Sequence, residues 1–174
     1  IMSITRAIEN SDLKRQNKEL LKDNGSINTY LGKSHLASNI RSTIEKVSPT
    51  ESRILINGAS GTGKKYLANL IHNKSNRNNA AFVTANTKRI LNNNLENDLF
   101  GLEDSEGVVK RIGLIEQAHM GTLYIDEICN LDATLQARLV QLLTEKVIQR
   151  VDGKYYVDID VRIICGTSKN IKLE

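Results

Sequence analysis

The sequence predicts an α/β domain: a parallel sheet covered by helices on both faces. Three observations carry this. Apolar, strand-length runs at residues 54–56, 81–85, 122–125 and 161–165 alternate with helical periodicities. The first run breaks into a glycine-rich turn that opens directly into a helical pattern, and the third ends in Asp126-Glu127. Strands that alternate with helices must cross over and pair in parallel, with the helices lying on the sheet faces.

In chain order, residues 1–23 read as a helix with apolar positions at Ile1, Ile4, Ile8, Leu13, Leu20 and Leu21. The 3–4 spacing slips after Ile8, so no single stripe runs its length. A linker or dimerising helix and a solvent-exposed helix both fit. Asp23-Asn24-Gly25-Ser26 breaks it, dividing the chain into a helix over 1–26 and a compact domain over 27–174. Ile40, Ile44 and Val47 set a second helix, closed by Ser48-Pro49. Residues 54–56 read as a buried strand, and the helix after the turn runs to about Asn73.

A second strand follows at 81–85, then a short helix at 95–100 stopped by Gly101. Residues 102–110 are polar and show no pattern, and a helical turn spans 113–118. The helix expected over 133–146 puts Leu135, Leu139, Leu142 and Leu143 on one face. Residues 147–157 alternate around Asp152-Gly153, a hairpin signal. The Asn-rich stretches 76–79 and 92–94 read as solvated loops.

Gly58, Ala59, Ser60, Gly61, Thr62, Gly63 and Lys64 have GxxxxGK spacing between strand and helix. That is the context of a phosphate-binding loop. Its glycines let successive N–H groups converge on an anion, the helix start adds partial positive charge, and Lys64 adds a full one. The motif calls next for a Ser or Thr hydroxyl that helps hold magnesium, and Lys65 stands there instead. Asp126-Glu127, at the carboxyl end of a strand, supplies the matching acids. Alone they would be two exposed carboxylates. Opposite a phosphate loop, Asp126 can hold magnesium and Glu127 can orient or deprotonate water.

Composition narrows the alternatives. Twenty-four Lys and Arg against twenty Asp and Glu give a net charge of +4, and the basic residues are scattered. A nucleic-acid surface calls for clustered charge with stacking rings, and only two Phe and five Tyr are present. No apolar run reaches the roughly 20 residues of a membrane helix, and the first residues have no secretory-signal pattern. Two cysteines, Cys129 and Cys165, make neither a disulfide framework nor a zinc site. A reducing cytoplasm is the default expectation.

With both halves of the site placed, the chain resembles the central AAA+ ATPase domain of NtrC-type response regulators, which activate sigma-54 transcription, and within them the NtrX subgroup. GASGTGKKYLANLIHNKS, NDLFG, GLIEQAHMGTLYIDEI, LQARLVQLLTEKVIQRVDG and DVRIICGTS carry the resemblance. It implies ATP or ADP with Mg2+ as cofactors, Gly58 to Lys64 on the phosphates, and Asp126 and Glu127 as the magnesium-associated and water-activating pair. Asn86 matches an asparagine that switches contact with that glutamate. Thr167 and Ser168 match positions that read the γ-phosphate, the second commonly Asn. Arg150 matches an arginine that reaches into a neighbouring subunit's site; by sequence alone it would be a solvated hairpin charge. The family usually has Glu where Lys65 stands.

Two departures go with it. The family's GAFTGA loop, which grips the sigma factor, is replaced by LEDSEGVVKRI, so sigma-54 contact is not expected. The helical lid, fifth strand and DNA-binding helix-turn-helix that follow in the family have no counterpart in the 174 residues, which implies a piece of a longer regulator. The implied partners are a second copy through the linker helix or in a ring, a sensor histidine kinase through an upstream receiver domain, and DNA through a C-terminal domain. No membrane partner is expected. A competing expectation is a dimerisation scaffold with a weak or vestigial nucleotide site. A small-molecule kinase lacks a second substrate cluster.

Overall fold

The computed structural model describes residues 32–87 and 95–169. The expected linker helix, the domain start near residue 27 and the loop at 92–94 lie outside the described residues. Helix α1 (His35–Val47) is followed by β1 (Ile54–Asn57), α2 (Lys64–Asn73), β2 (Phe82–Asn86) and α3 (Leu95–Phe100). Then come β3 (Leu102–Glu103), β4 (Val109–Arg111), α4 (Leu114–Gln117) and β5 (Thr122–Asp126). A 3-10 turn (Ile128–Asn130), α5 (Ala133–Glu145), β6 (Val147–Gln149), β7 (Tyr156–Asp158) and β8 (Arg162–Thr167) complete the order.

The main sheet has the order β1-β8-β5-β2, and each neighbouring pair is parallel. Strand alternation sorts its side chains into two cores. Leu123, Ile125 and Ile163 face one side, with Leu135, Leu139 and Leu142 of α5, Leu99 and Phe100 of α3, and Ile115 of α4. Tyr124, Ile164 and Ile56 face the other, with Ile44 of α1 and Ala68, Leu70 and Ile71 of α2. The sheet is therefore covered on both faces, as expected of parallel strands. All five residues of β5 except Asp126 are fully buried. Burying a Leu or Ile is worth about 1.5–3 kcal/mol, so this central strand anchors the acids at its end.

Local chemistry sets the helix ends. Ser34 accepts from Ala37 N at 3.2 Å to cap α1, and Asp132 accepts from Leu135 N at 2.8 Å to cap α5. Lys146 closes α5 in the left-handed region at φ 57°. Arg138 of α5 lies over the Phe100 ring at 3.9 Å and ion-pairs with Glu96, joining α5 to α3. No helix among the described residues is long and apolar enough to cross a membrane.

Two expectations need correction. β1 is only partly buried: it ends the sheet order, and Leu55 is 52% exposed while Ile56 faces the α2 side. Its apolar run fits a strand with one covered face, not two. Residues 102–110 are not patternless, because β3 and β4 form a small antiparallel ribbon there, ending at Arg111. The turn builds it, not side-chain alternation: Asp104 Oδ1 accepts from Glu106 N and Val108 N, at 3.0 and 2.8 Å. The hairpin expected around Asp152-Gly153 is present as β6–β7, in a separate two-stranded sheet.

His72 of α2 is buried, with Nδ1 2.9 Å from Thr122 Oγ1. Burial holds its pKa below the ordinary value; a backbone hydrogen bond at Ala80 opposes this and Arg162 adds to it. The unfolded chain therefore binds the proton more readily. The neutral-His contribution to stability is complete above about pH 6.5 and is lost as pH falls. Urea unfolding of the wild type is expected to weaken from pH 7.5 to pH 5, and His72→Gln to weaken less. Equal slopes in the two would contradict the role of His72.

Candidate nucleotide site

The carboxyl ends of the four parallel strands bring one residue each to the same edge. By register, Asn57 of β1 stands beside Thr167 of β8, and Asn86 of β2 beside Asp126 of β5. Open parallel sheets bind ligands at this edge. The loop from Gly58 to Gly63 springs from it, tied to β8 by Gly58 N donating to Thr167 O at 3.1 Å. Thr62 folds the loop inward, its hydroxyl donating to Ala59 O at 2.8 Å. Ala59, Ser60, Gly61 and Gly63 are exposed, as is Lys65.

Gly61 and Gly63 have φ values of 82° and 86°, which a residue with a side chain rarely adopts. Gly63 is also the N-cap of α2 and offers no side chain to its first amides. Helix starts left in this condition favour anions.

Lys64 is buried, 8% exposed, and its Nζ donates to Gly58 O at 2.9 Å and Ala59 O at 3.2 Å. Glu127 Oε1 faces it at 3.4 Å, and Glu127 is itself 3% exposed. The other oxygen, Oε2, accepts from both the N–H and the hydroxyl of Ser168, each at 2.8 Å. Glu127 stands in the left-handed region at φ 53° and ψ 57°. Such a backbone costs a non-glycine residue of order 1–3 kcal/mol and clusters at functional sites.

Asp126 stays partly exposed and accepts from the Tyr124 hydroxyl at Oδ1, 2.9 Å away. Burial, then this hydrogen bond, push the Tyr124 pKa well up, which keeps the hydroxyl a donor. Thr87 donates its hydroxyl to the carbonyls of Asp126 and Glu127 at 2.9 and 3.2 Å, fixing the backbone of the pair.

The structure thus gathers the loop, Lys64, Asp126, Glu127 and Ser168. Thr167 is fully buried, and its hydroxyl is spent on Cys129 Sγ (3.3 Å) and Lys169 N (3.1 Å). Arg150 is engaged elsewhere: Glu116 takes its Nε and Nη2 at 2.8 and 2.7 Å, and Glu103 takes Nη1 at 3.1 Å. The Glu116 contact leads in raising its pKa. It is a buttressed charge, not the solvated one the sequence alone suggested.

A family model described as the sigma-54 interaction domain matches residues 30–174. The chain belongs to this family. A nitrogen assimilation regulatory protein NtrX from Azorhizobium caulinodans is 39% identical over 169 residues, covering 97% of this chain and 37% of that protein. Crystal structures of NtrX from Brucella abortus in complex with ATP and with ADP superpose with TM-scores of 0.77 and 0.78, at 39% and 37% identity. Each covers 99% of this chain, which spans 39% and 36% of those chains. This sigma-54 interaction domain therefore spans a little over a third of such relatives, and it has the P-loop AAA+ architecture the sequence predicted.

Sequence reasoning missed Tyr124, Thr87 and Cys129. Tyr124 was within reach of it: residues two apart on a strand share a face, so a tyrosine two before Asp126 points where Asp126 points. Gly166, beside Cys165, leaves room for that hydroxyl. A Cβ there would stand 2.3 Å from Tyr124 Oη and 3.1 Å from Asp126 Oδ1. Gly166→Ala is expected to cost about 1–3 kcal/mol by overpacking, read as a lower urea midpoint. An unchanged midpoint would contradict the fit.

Proposed function

We propose that this domain is the ATP-binding AAA+ core of a two-component response regulator that controls transcription. Gly58 to Lys64 hold the phosphates of ATP or ADP. One observation carries the reading: the Lys64 ammonium and the Glu127 carboxylate face each other at 3.4 Å beneath a loop whose helix start has no side-chain cap. A phosphate seated on the loop would take the ammonium from the Gly58 and Ala59 carbonyls. Glu127 would then be free to take a proton from the attacking water.

Mg2+ fits through Asp126. Among the described residues, no group of three or more His, Cys, Asp or Glu side chains could hold a metal alone. Mg2+ keeps several waters and uses one or two carboxylates together with phosphate oxygens. Asp126 thus serves as a protein ligand to nucleotide-bound metal, which would neutralise phosphate charge. Beside the buried Lys64, Lys65 adds an exposed cation where a metal-holding hydroxyl would stand.

Hydrolysis by this domain alone is slow in this reading. Ser168 and Lys64 both hold Glu127, and Arg150 would serve a neighbouring site only after leaving Glu116 and Glu103. Asn86, at the end of β2 beside Asp126, is the residue that would take over Glu127, and Thr167 supports the γ-phosphate end from within. The interval LEDSEGVVKRI, which carries the β3–β4 ribbon, has no GAFTGA motif, so in this reading regulation runs through nucleotide, the phosphorylated receiver and DNA. The whole regulator would work in the cytoplasm as a dimer or ring. The same latching of Glu127 also favours a second reading, a non-hydrolysing scaffold.

Calorimetric titration with ATP and magnesium is expected to give saturable heat for the wild type. Lys64→Ala should weaken it at least tenfold. No heat for either protein would overturn nucleotide binding and leave the scaffold. Rapid phosphate release by the isolated domain would contradict the latched glutamate.

A further inference from the structure

A second charged site lies at the opposite end of the sheet. β8 is six residues long, so Arg162 stands about 17 Å from Thr167 at the phosphate-loop edge. Beside Arg162 is a cavity of about 280 Å³, lined by Glu51, Arg53, Arg77, Lys146, Asp160 and Arg162 over aliphatic side chains of α5 and β8. Four cations meet two carboxylates there. Arg77 alone serves both acids, Glu51 at 2.8 Å and Asp160 at 2.7 Å. The other three cations have no carboxylate within ion-pair distance among the described residues.

Arg162 is the telling one. It is 2% exposed and donates to Ser48 O at 2.7 Å and Val47 O at 2.8 Å, but its Nε has no hydrogen-bond partner. Burial lowers its pKa, with Glu51 opposing and Arg77 adding to the effect. A buried guanidinium is costly unless paired, and buried donors are almost always satisfied. Arg53 is bound only to Leu143 O at 2.8 Å among the described residues, and Lys146 is exposed at the end of α5. Guanidinium forks suit oxyanions of tetrahedral or carboxylate shape. The excess of two positive charges suits a dianion.

We propose that this cleft binds a compact phosphate dianion, free or carried on a small molecule, independently of the nucleotide site. The test is calorimetric titration of the protein with inorganic phosphate at fixed ionic strength. Three forms are compared: wild type, Lys64→Ala in the phosphate loop, and the double variant Arg53→Gln/Lys146→Gln made in the Lys64→Ala background. Both residues of the double variant are exposed, so folding is preserved and is checked by circular dichroism. Saturable binding is expected in wild type and in Lys64→Ala, weakened at least tenfold in the double variant. Competition by glycerol 2-phosphate would identify a phosphomonoester as the ligand, and failure to compete would identify free phosphate. The proposal is overturned if the wild type shows no saturable binding, if Lys64→Ala abolishes it, or if the double variant retains it.

Discussion

A lysine ammonium held at 8% exposure needs negative partners, and the fold is arranged to supply them. Lys64 meets two loop carbonyls on one side and Glu127 on the other. Removing one member of such a buried pair costs about 3–5 kcal/mol, because the other charge is left uncompensated. Glu127 can be there only because β5 is buried along its length and delivers its carboxyl end to the loop edge. The loop is in turn fastened to β8 at Thr167, whose neighbour Ser168 holds the far oxygen of the same carboxylate. Three strands thus converge on one ion pair.

Under the proposed function, this arrangement would couple affinity to catalysis. A triphosphate on the loop would compete with Gly58 O, Ala59 O and Glu127 for the same ammonium. Binding and unlatching are then one event, since any ligand that draws Lys64 away also removes a restraint on Glu127. Ser168 remains as a second restraint, donating through both backbone and side chain. The strained backbone at Glu127 fits a residue held for a purpose other than stability. Arg150 is clamped by Glu103 and Glu116, away from this ion pair.

Much of this was legible in the sequence, for identifiable reasons. The loop motif is local, and its neighbours on either side have the periods of strand and helix. The four core strands were readable because they are apolar and bounded by turns, and α5 because its leucines recur on one face. What was hidden depended on distance in the chain or on turn chemistry. The β3–β4 ribbon has strands of two and three residues held by Asp104, too short for any period to register. The pairing of Arg150 with Glu116 joins residues 34 apart. The exposure of Leu55 follows from strand order, which no local pattern contains. The basic cleft around Arg162 draws on β8, α5 and the segments flanking β1 and α2, so scattered charges in the sequence become neighbours only in the fold.

The central claim is that the loop and its buried lysine form a seat for a triphosphate that opens the Lys64–Glu127 pair. A crystal structure with a non-hydrolysable ATP analogue and magnesium tests it most directly. The account predicts phosphate oxygens against the amides of residues 61–65, Lys64 Nζ moved from the Gly58 and Ala59 carbonyls onto phosphate, and metal density at Asp126. An analogue bound elsewhere, or a bound analogue with Lys64 still on those carbonyls and on Glu127, would contradict it.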